Sequence, residues 1–233
     1  MTNVSSGRLL SLDVLRGMTV AGMILVNNPG SWSAVYAPLR HAPWHGLTPT
    51  DLVFPFFMFV MGVSAGLSLR CYGYRCTPAA VRKVLLRSAL IFLIGTAIGF
   101  FSRFCGTFAA LSGEDMPFWE RVARSTMTFD RMRILGVLQR LALSYAAAML
   151  VALSLRPRRI PFATGALLAV YWLVLALGGG FSLSENNIVA VVDRAVLGAA
   201  HMYREGDIAF DPEGLLSTVP SVAHVLIGFC CCR

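Results

Sequence analysis

Leu52-Val53-Phe54-Pro55-Phe56-Phe57-Met58-Phe59-Val60-Met61-Gly62-Val63-Ser64-Ala65-Gly66-Leu67-Ser68-Leu69 runs for eighteen residues without one Asp, Glu, Lys or Arg. A surface helix of a soluble domain keeps a polar face, and this stretch keeps none. Read as a helix rising about 1.5 Å per residue, it is of the length that crosses a hydrocarbon core roughly 30 Å thick. Pro55, Gly62 and Gly66 do not argue against that reading, because membrane helices tolerate both residue types.

The same pattern recurs on either side of it. Apolar stretches run over Leu9–Val26, Val84–Phe104, Ile134–Leu155 and Pro161–Phe181, and a sixth begins near Leu215. The sixth, read to Phe229, is short for a span. Hydrophobic residues make up 56% of the 233-residue chain and charged residues only 14%, against about 25% in a typical soluble domain. Mean hydropathy is +0.67. The expected fold class is all-α: a polytopic transmembrane helical bundle of about six membrane helices, with residues 1–233 forming a single domain.

The formal net charge is +8, and Lys83 is the one lysine. The basic residues fall between the apolar runs rather than in a stripe interleaved with aromatics, so they mark membrane orientation and exclude nucleic acid as the expected partner. Arg8, the group Arg70, Arg75, Arg82, Lys83 and Arg87, and the turn Arg156, Arg158, Arg159 belong together on the cytoplasmic side. The loops 27–51 and 182–214 then fall on the opposite face. The connection 103–133 mixes Arg103, Arg121, Arg124, Arg131 and Arg133 with Glu114, Asp115, Glu120 and Asp130, and fits this orientation less well. The expectation is a multi-pass inner-membrane protein with a cytoplasmic N-terminus, in contact with lipid and open to homodimerisation. Cys71, Cys76, Cys105, Cys230, Cys231 and Cys232 match no zinc or redox spacing and are read as free thiols.

Ionisable groups within membrane segments are expensive and are functional candidates by default. Asp13 and Arg16, at i and i+3, share a helix face and either pair structurally or serve a ligand. Asp51 opens the second helix, where it is read as a cap or as a chemical group. Gln139 and Arg140 lie inside the fourth apolar stretch. Arg140 needs either a carboxylate such as Asp13 or a phosphate-bearing ligand, which a guanidinium matches bidentately. Asp211-Pro212-Glu213-Gly214 reads as a helix start with Asp211 at the N-cap. The first loop carries Asn27, His41 and His45. The two histidines lack a third ligand, so no metal is expected, and one histidine as general base fits better. Glycines, aromatics and polar groups gathered on one face suit a concave site for a sugar.

These residues resemble a known family. Ser11-Leu12-Asp13-Val14-Leu15-Arg16-Gly17, Val26-Asn27, His41-Ala42-Pro43-Trp44-His45-Gly46-Leu47-Thr48, Asp51-Leu52-Val53-Phe54-Pro55-Phe56-Phe57, Gly136-Val137-Leu138-Gln139-Arg140 and Asp211-Pro212-Glu213-Gly214 are similar, in order, to the motifs of transmembrane acyltransferases related to heparan-α-glucosaminide N-acetyltransferase. The resemblance implies acetyl transfer from acetyl-CoA on the cytoplasmic side to the amino group of a glucosamine on the other. It puts the active-site histidine on His41, as general base or transient acetyl carrier. It puts on Asn27 an asparagine that holds the thioester oxygen or orients the histidine. Asp13, Arg16, Asp51, Gln139, Arg140, Asp211 and Glu213 are the expected substrate-binding residues. The family's helices continue beyond those in this chain, so it reads as the N-terminal half of that fold. The rival readings are a transporter of sugars or related solutes and an inactive fragment.

Overall fold

A computed structural model describes residues 10–44, 46–127, 132–205 and 208–232. Arg8, Leu9, His45, Asp130 and Arg131, used in the sequence reading, lie outside the described residues. The chain forms an all-α bundle with eight α-helices among the described residues: α1 Leu10–Asn27, α2 Pro49–Arg70, α3 Pro78–Ala110, α4 Phe118–Thr126, α5 Val137–Ser154, α6 Ile160–Leu177, α7 Ile188–Leu197 and α8 Thr218–Cys231. Five of them, α1, α2, α3, α5 and α6, are long and apolar enough to cross a membrane. The sixth apolar stretch is α8, whose 14 residues rise only about 21 Å. Two short strands, β1 Arg204–Glu205 and β2 Ile208–Ala209, pair antiparallel, with Arg204 opposite Ala209.

Helix α8 is the shared neighbour of α2, α5 and α6 and packs most extensively on α2, while α5 joins α3 to α8. The α2–α8 seam is built from glycine. A Cβ on Gly62 would lie 2.0 Å from the Val225 carbonyl oxygen, and one on Gly228 would lie 2.1 Å from that of Phe59. In a membrane, where lipid is as apolar as leucine, small residues bring helices together because backbone-to-backbone packing supplies the attraction. Gly95 plays the same part between α3 and α5, beneath Leu138 and Gln139. Around these contacts Met58, Val84, Met149, Ile160, Leu226 and Phe229 are fully buried. Outward, Leu86, Leu90, Leu93, Ile94, Ile98 and Phe101 of α3 are exposed. An apolar stripe of that length is unsuited to water and suited to lipid, and the chain is a membrane protein.

The structure alters three sequence expectations. Helix α2 begins at Pro49, with Thr48 as N-cap and Asp51 at the third helical position, where it completes a capping box; Asp51 is therefore not the cap itself. Asp211 does not cap α8, which starts at Thr218 behind Ser217. Instead Asp211 closes a local turn, its carboxylate accepting from Glu213 N–H at 3.0 Å and its carbonyl from Gly214 N–H at 3.0 Å. The physical reason is that an aspartate side chain offers the backbone a local alternative to helix. Finally, the mixed-charge connection 103–133 is not a plain loop: α3 continues to Ala110, and α4 folds back on it with Arg121 over the Phe108 ring.

Three connections meet at one end of the bundle. Trp44 Nε1 donates to the Phe181 carbonyl at 3.0 Å, and Ile134 N–H to the His201 carbonyl at 3.2 Å. The α1–α2 loop, the residues before α5 and the α6–α8 connection thus form one surface, and the polar residues gather there.

Candidate functional site

His41 stands at the centre of that surface, its side chain 69% exposed. Its Nδ1 lies 2.6 Å from Asp51 Oδ1. A carboxylate only accepts, so the ring's proton sits on Nδ1 and the Nε2 lone pair is left free. The other oxygen, Asp51 Oδ2, accepts from Thr48 N–H at 2.9 Å, Thr48 Oγ1 at 2.9 Å and Ala42 N–H at 3.2 Å. The capping box thereby fixes the carboxylate, and the carboxylate fixes the imidazole. The sequence set capping and a chemical role as alternatives for Asp51; in the structure the capping contacts and the His41 contact fall on different oxygens of one side chain.

Two cavities meet at His41. A polar one of about 640 Å³ opens among His41, Trp44, Asp51, Arg133, Tyr203 and Glu213. An apolar one of about 500 Å³ lies between α1, α2 and α5 and is lined by Asn27, Val53, Phe54, Phe57 and Leu138. His41 and Glu213 line both. A third hollow of about 380 Å³ continues from the apolar one through the shared residues Phe57, Leu138 and Leu141, and reaches Arg16, Ser64 and Arg87. Asn27 and Arg16, on the same helix, are eleven residues apart, so about 16 Å of α1 separates the two ends of this slot.

The remaining candidates divide by place. Asn27 lines the apolar cavity and donates Nδ2 to the Met23 carbonyl at 2.9 Å; the histidine's orienting partner is Asp51. Arg16 bonds Ser64 Oγ at 2.5 Å and pairs with Asp13 at 3.4 Å at the far end of the slot. Asp211 is fully buried and takes Arg133 Nε at 2.9 Å and Nη2 at 2.5 Å, while Arg133 also pairs with Glu213. Burial works against the Arg133 charge, but the two carboxylates outweigh it and hold its pKa above the ordinary arginine value. Arg140 has neither Asp13 nor open space as its partner. Its three nitrogens go to Ser221 Oγ, the Pro212 carbonyl and the Ser217 carbonyl at 2.8–3.0 Å, with the guanidinium over the Phe54 ring. Gln139 is buried between α3 and α5, its Nε2 toward Thr96 Oγ1. His41, Asn27, Asp51 and Glu213 are therefore brought to the two upper cavities, Asp211 and Arg140 support them from behind, and Gln139 stands apart.

The chain as a whole is similar to known enzymes. The chain is 29% identical over 270 residues to heparan-alpha-glucosaminide N-acetyltransferase of Homo sapiens and 27% identical over 276 residues to that of Mus musculus. The chain is related to the heparan-alpha-glucosaminide N-acetyltransferase family. The alignments cover 95% and 96% of this chain but 37% and 38% of those proteins, so it spans somewhat over a third of their length. No protein-family model matches the chain.

Sequence reasoning missed Ser64, Arg133, Trp44 and Tyr203 as site-lining residues. Arg87 was grouped with the cytoplasmic basic residues, and it also lies within the third apolar stretch, where a charge is costly. The other four carried no such signal: Arg133, Trp44 and Tyr203 become neighbours only where three distant connections meet, and Ser64 joins the slot only where α2 packs beside α1.

Proposed function

We propose that the protein is an inner-membrane acetyltransferase that moves acetyl from acetyl-CoA to the amino group of a glucosamine-type sugar. The observation that carries this reading is the junction of a polar and an apolar cavity at a histidine whose Nδ1 is tied to a fixed carboxylate. The kinship with N-acetyltransferases supports the same reaction. In this reading the N-terminus is cytoplasmic and the polar cavity faces the periplasm.

The donor enters from the Arg16–Arg87 end. Its phosphates meet the two guanidiniums, a pairing that Arg geometry favours, and its thioester arm lies along Phe57, Leu138 and Leu141 toward His41. The acceptor ring enters the polar cavity, where Tyr203 and Trp44 offer aromatic faces and Glu213 a carboxylate for its hydroxyl or amino groups. His41 Nε2 takes a proton from the amine as nitrogen attacks the thioester carbonyl. The new N–C bond forms, the C–S bond breaks, and the thiolate of CoA receives the proton that His41 carries. Asp51 stabilises the imidazolium in between, and the Asn27 side chain stands beside the carbonyl oxygen as it gains charge.

The test is incubation of purified protein in detergent with labelled acetyl-CoA and glucosamine. His41→Ala is expected to lower acetylated sugar by about 10³-fold, within the range for general-base removal, while leaving thermal stability unchanged because the ring is exposed. Transfer that survives the substitution, or solute uptake by proteoliposomes without CoA, would overturn the reading in favour of another base or of a transporter.

A further inference from the structure

Asp193, in the middle of α7, is fully buried yet lines none of the three cavities that meet or continue from His41. Its Oδ1 accepts from Leu215 N–H at 2.8 Å and Leu216 N–H at 3.2 Å. Its Oδ2 has no hydrogen-bond partner among the described residues. A Cβ on Gly214 would lie 1.7 Å from that oxygen. The carboxylate therefore lies flat against the one residue of the 211–217 turn that has no side chain. On its other side the turn carries Asp211 and Glu213 to Arg133 and offers the Pro212 and Ser217 carbonyls to Arg140. The turn leaves Glu213 at the boundary of the two cavities.

A buried acid is expensive to hold in place, and an apolar residue would fill the same space on α7. What an apolar residue would not supply is an acceptor for two amide groups that α8 leaves outside its hydrogen-bonded ladder. We propose that Asp193 is a positioning residue for the acceptor cavity: by holding the Leu215 and Leu216 amides through the gap left by Gly214, it fixes the turn and so the place of Glu213. The inference rests on the function proposed above for its effect on catalysis, but not for its effect on the turn.

The experiment compares Asp193→Ala, Asp193→Asn and Gly214→Ala in the whole protein, by hydrogen exchange and by acetyl-transfer kinetics. Asp193→Ala removes the acceptor. Gly214→Ala displaces it from the opposite side. Asp193→Asn keeps an oxygen for the two amides. The first two are expected to speed exchange at Glu213, Gly214, Leu215 and Leu216 by at least 10-fold, and to raise KM for glucosamine about 10-fold while KM for acetyl-CoA stays within 2-fold. Asp193→Asn is expected to stay within 3-fold of wild type in all of these. Acceleration confined to Leu215 and Leu216, with Glu213 and Gly214 still protected, overturns the proposal. So does an unchanged glucosamine KM in an active protein whose turn has loosened. If wild-type protein transfers no acetyl group, the proposed function falls, and the exchange pattern alone decides whether Asp193 holds the turn.

Discussion

The two faces of α2 are made of the same kinds of residue and do opposite things. One face, Met58, Gly62, Ala65, Gly66 and Leu69, is sealed against its neighbours, with its backbone in contact with α8. The other, Val53, Phe57, Met61 and Ser64, looks into the hollows that run from His41 to Arg16 and Arg87. Hydrophobicity does not distinguish them. The glycines do: Gly62 and Gly66 let α8 close on one face, and Phe57 and Met61 line the slot that α1 and α5 leave open on the other. A membrane helix can thus be a structural strut on one side and a wall of a site on the other, and damage to the two sides has different consequences.

That contrast is open to attack by substitution. On the sealed face, Gly62→Val places a side chain where the Val225 carbonyl already stands, and is expected to destabilise the bundle by roughly 3 kcal/mol, the upper range for overpacking. Thermal unfolding in detergent would register it as a clear loss of Tm. A Gly62→Val protein as stable as wild type would mean that the α2–α8 seam is not closed as described. On the site side, Asp51→Asn is expected to lower kcat about 10²-fold, because the amide no longer stabilises the imidazolium. Stability should fall only by the few tenths to about 1 kcal/mol of a weakened capping box. Lower in the slot, Arg16→Ala and Arg87→Ala are each expected to raise KM for acetyl-CoA about 10-fold, equal to about 1.4 kcal/mol of lost binding, with KM for glucosamine unchanged. Equal effects on both substrates would break the division of the slot into donor and acceptor ends.

The smallest effect concerns pH. Burial raises the Asp193 carboxyl above its ordinary value of 3.8, and Asp211 adds to the shift, while the Leu216 and Leu215 amides and Arg140 oppose it; the Tyr171 side chain of α6 also feels its charge. The folded chain then holds this proton at pH values where the unfolded chain has lost it. Stability due to this group is greatest in acid and declines as pH rises from the ordinary carboxylate value through the raised one. Asp193→Asn should remove that decline, measured as the slope of Tm against pH.

The sequence made the spans legible for a physical reason. Long apolar runs have one good solution in lipid, and α1, α2, α5 and α6 lie close to where those runs predict. A charge, a histidine or a proline stands out against such a background. The helix ends were less legible, since Thr48 and Asp51 divide capping between them, and Asp211 makes a turn where it was expected to make a cap. The least legible part was the partnership of distant residues. Arg140 was expected to meet Asp13 or a phosphate, and two of its nitrogens are taken by carbonyls of a turn more than seventy residues away, the third by the Ser221 hydroxyl. Nothing in local spacing encodes that contact, because it depends on how the α6–α8 connection folds back over α5.

In the proposed reaction donor and acceptor reach His41 from opposite sides, the donor along the slot from Arg16 and Arg87 and the acceptor through the polar cavity. This arrangement is tested most directly in sealed proteoliposomes, with the protein's orientation established by protease accessibility and labelled acetyl-CoA supplied on one side only. Acetylated glucosamine is expected only when acetyl-CoA is on the side of Arg16 and Arg87 and the sugar on the side of His41, with none formed by His41→Ala. Equal product with both substrates confined to the His41 side would contradict it.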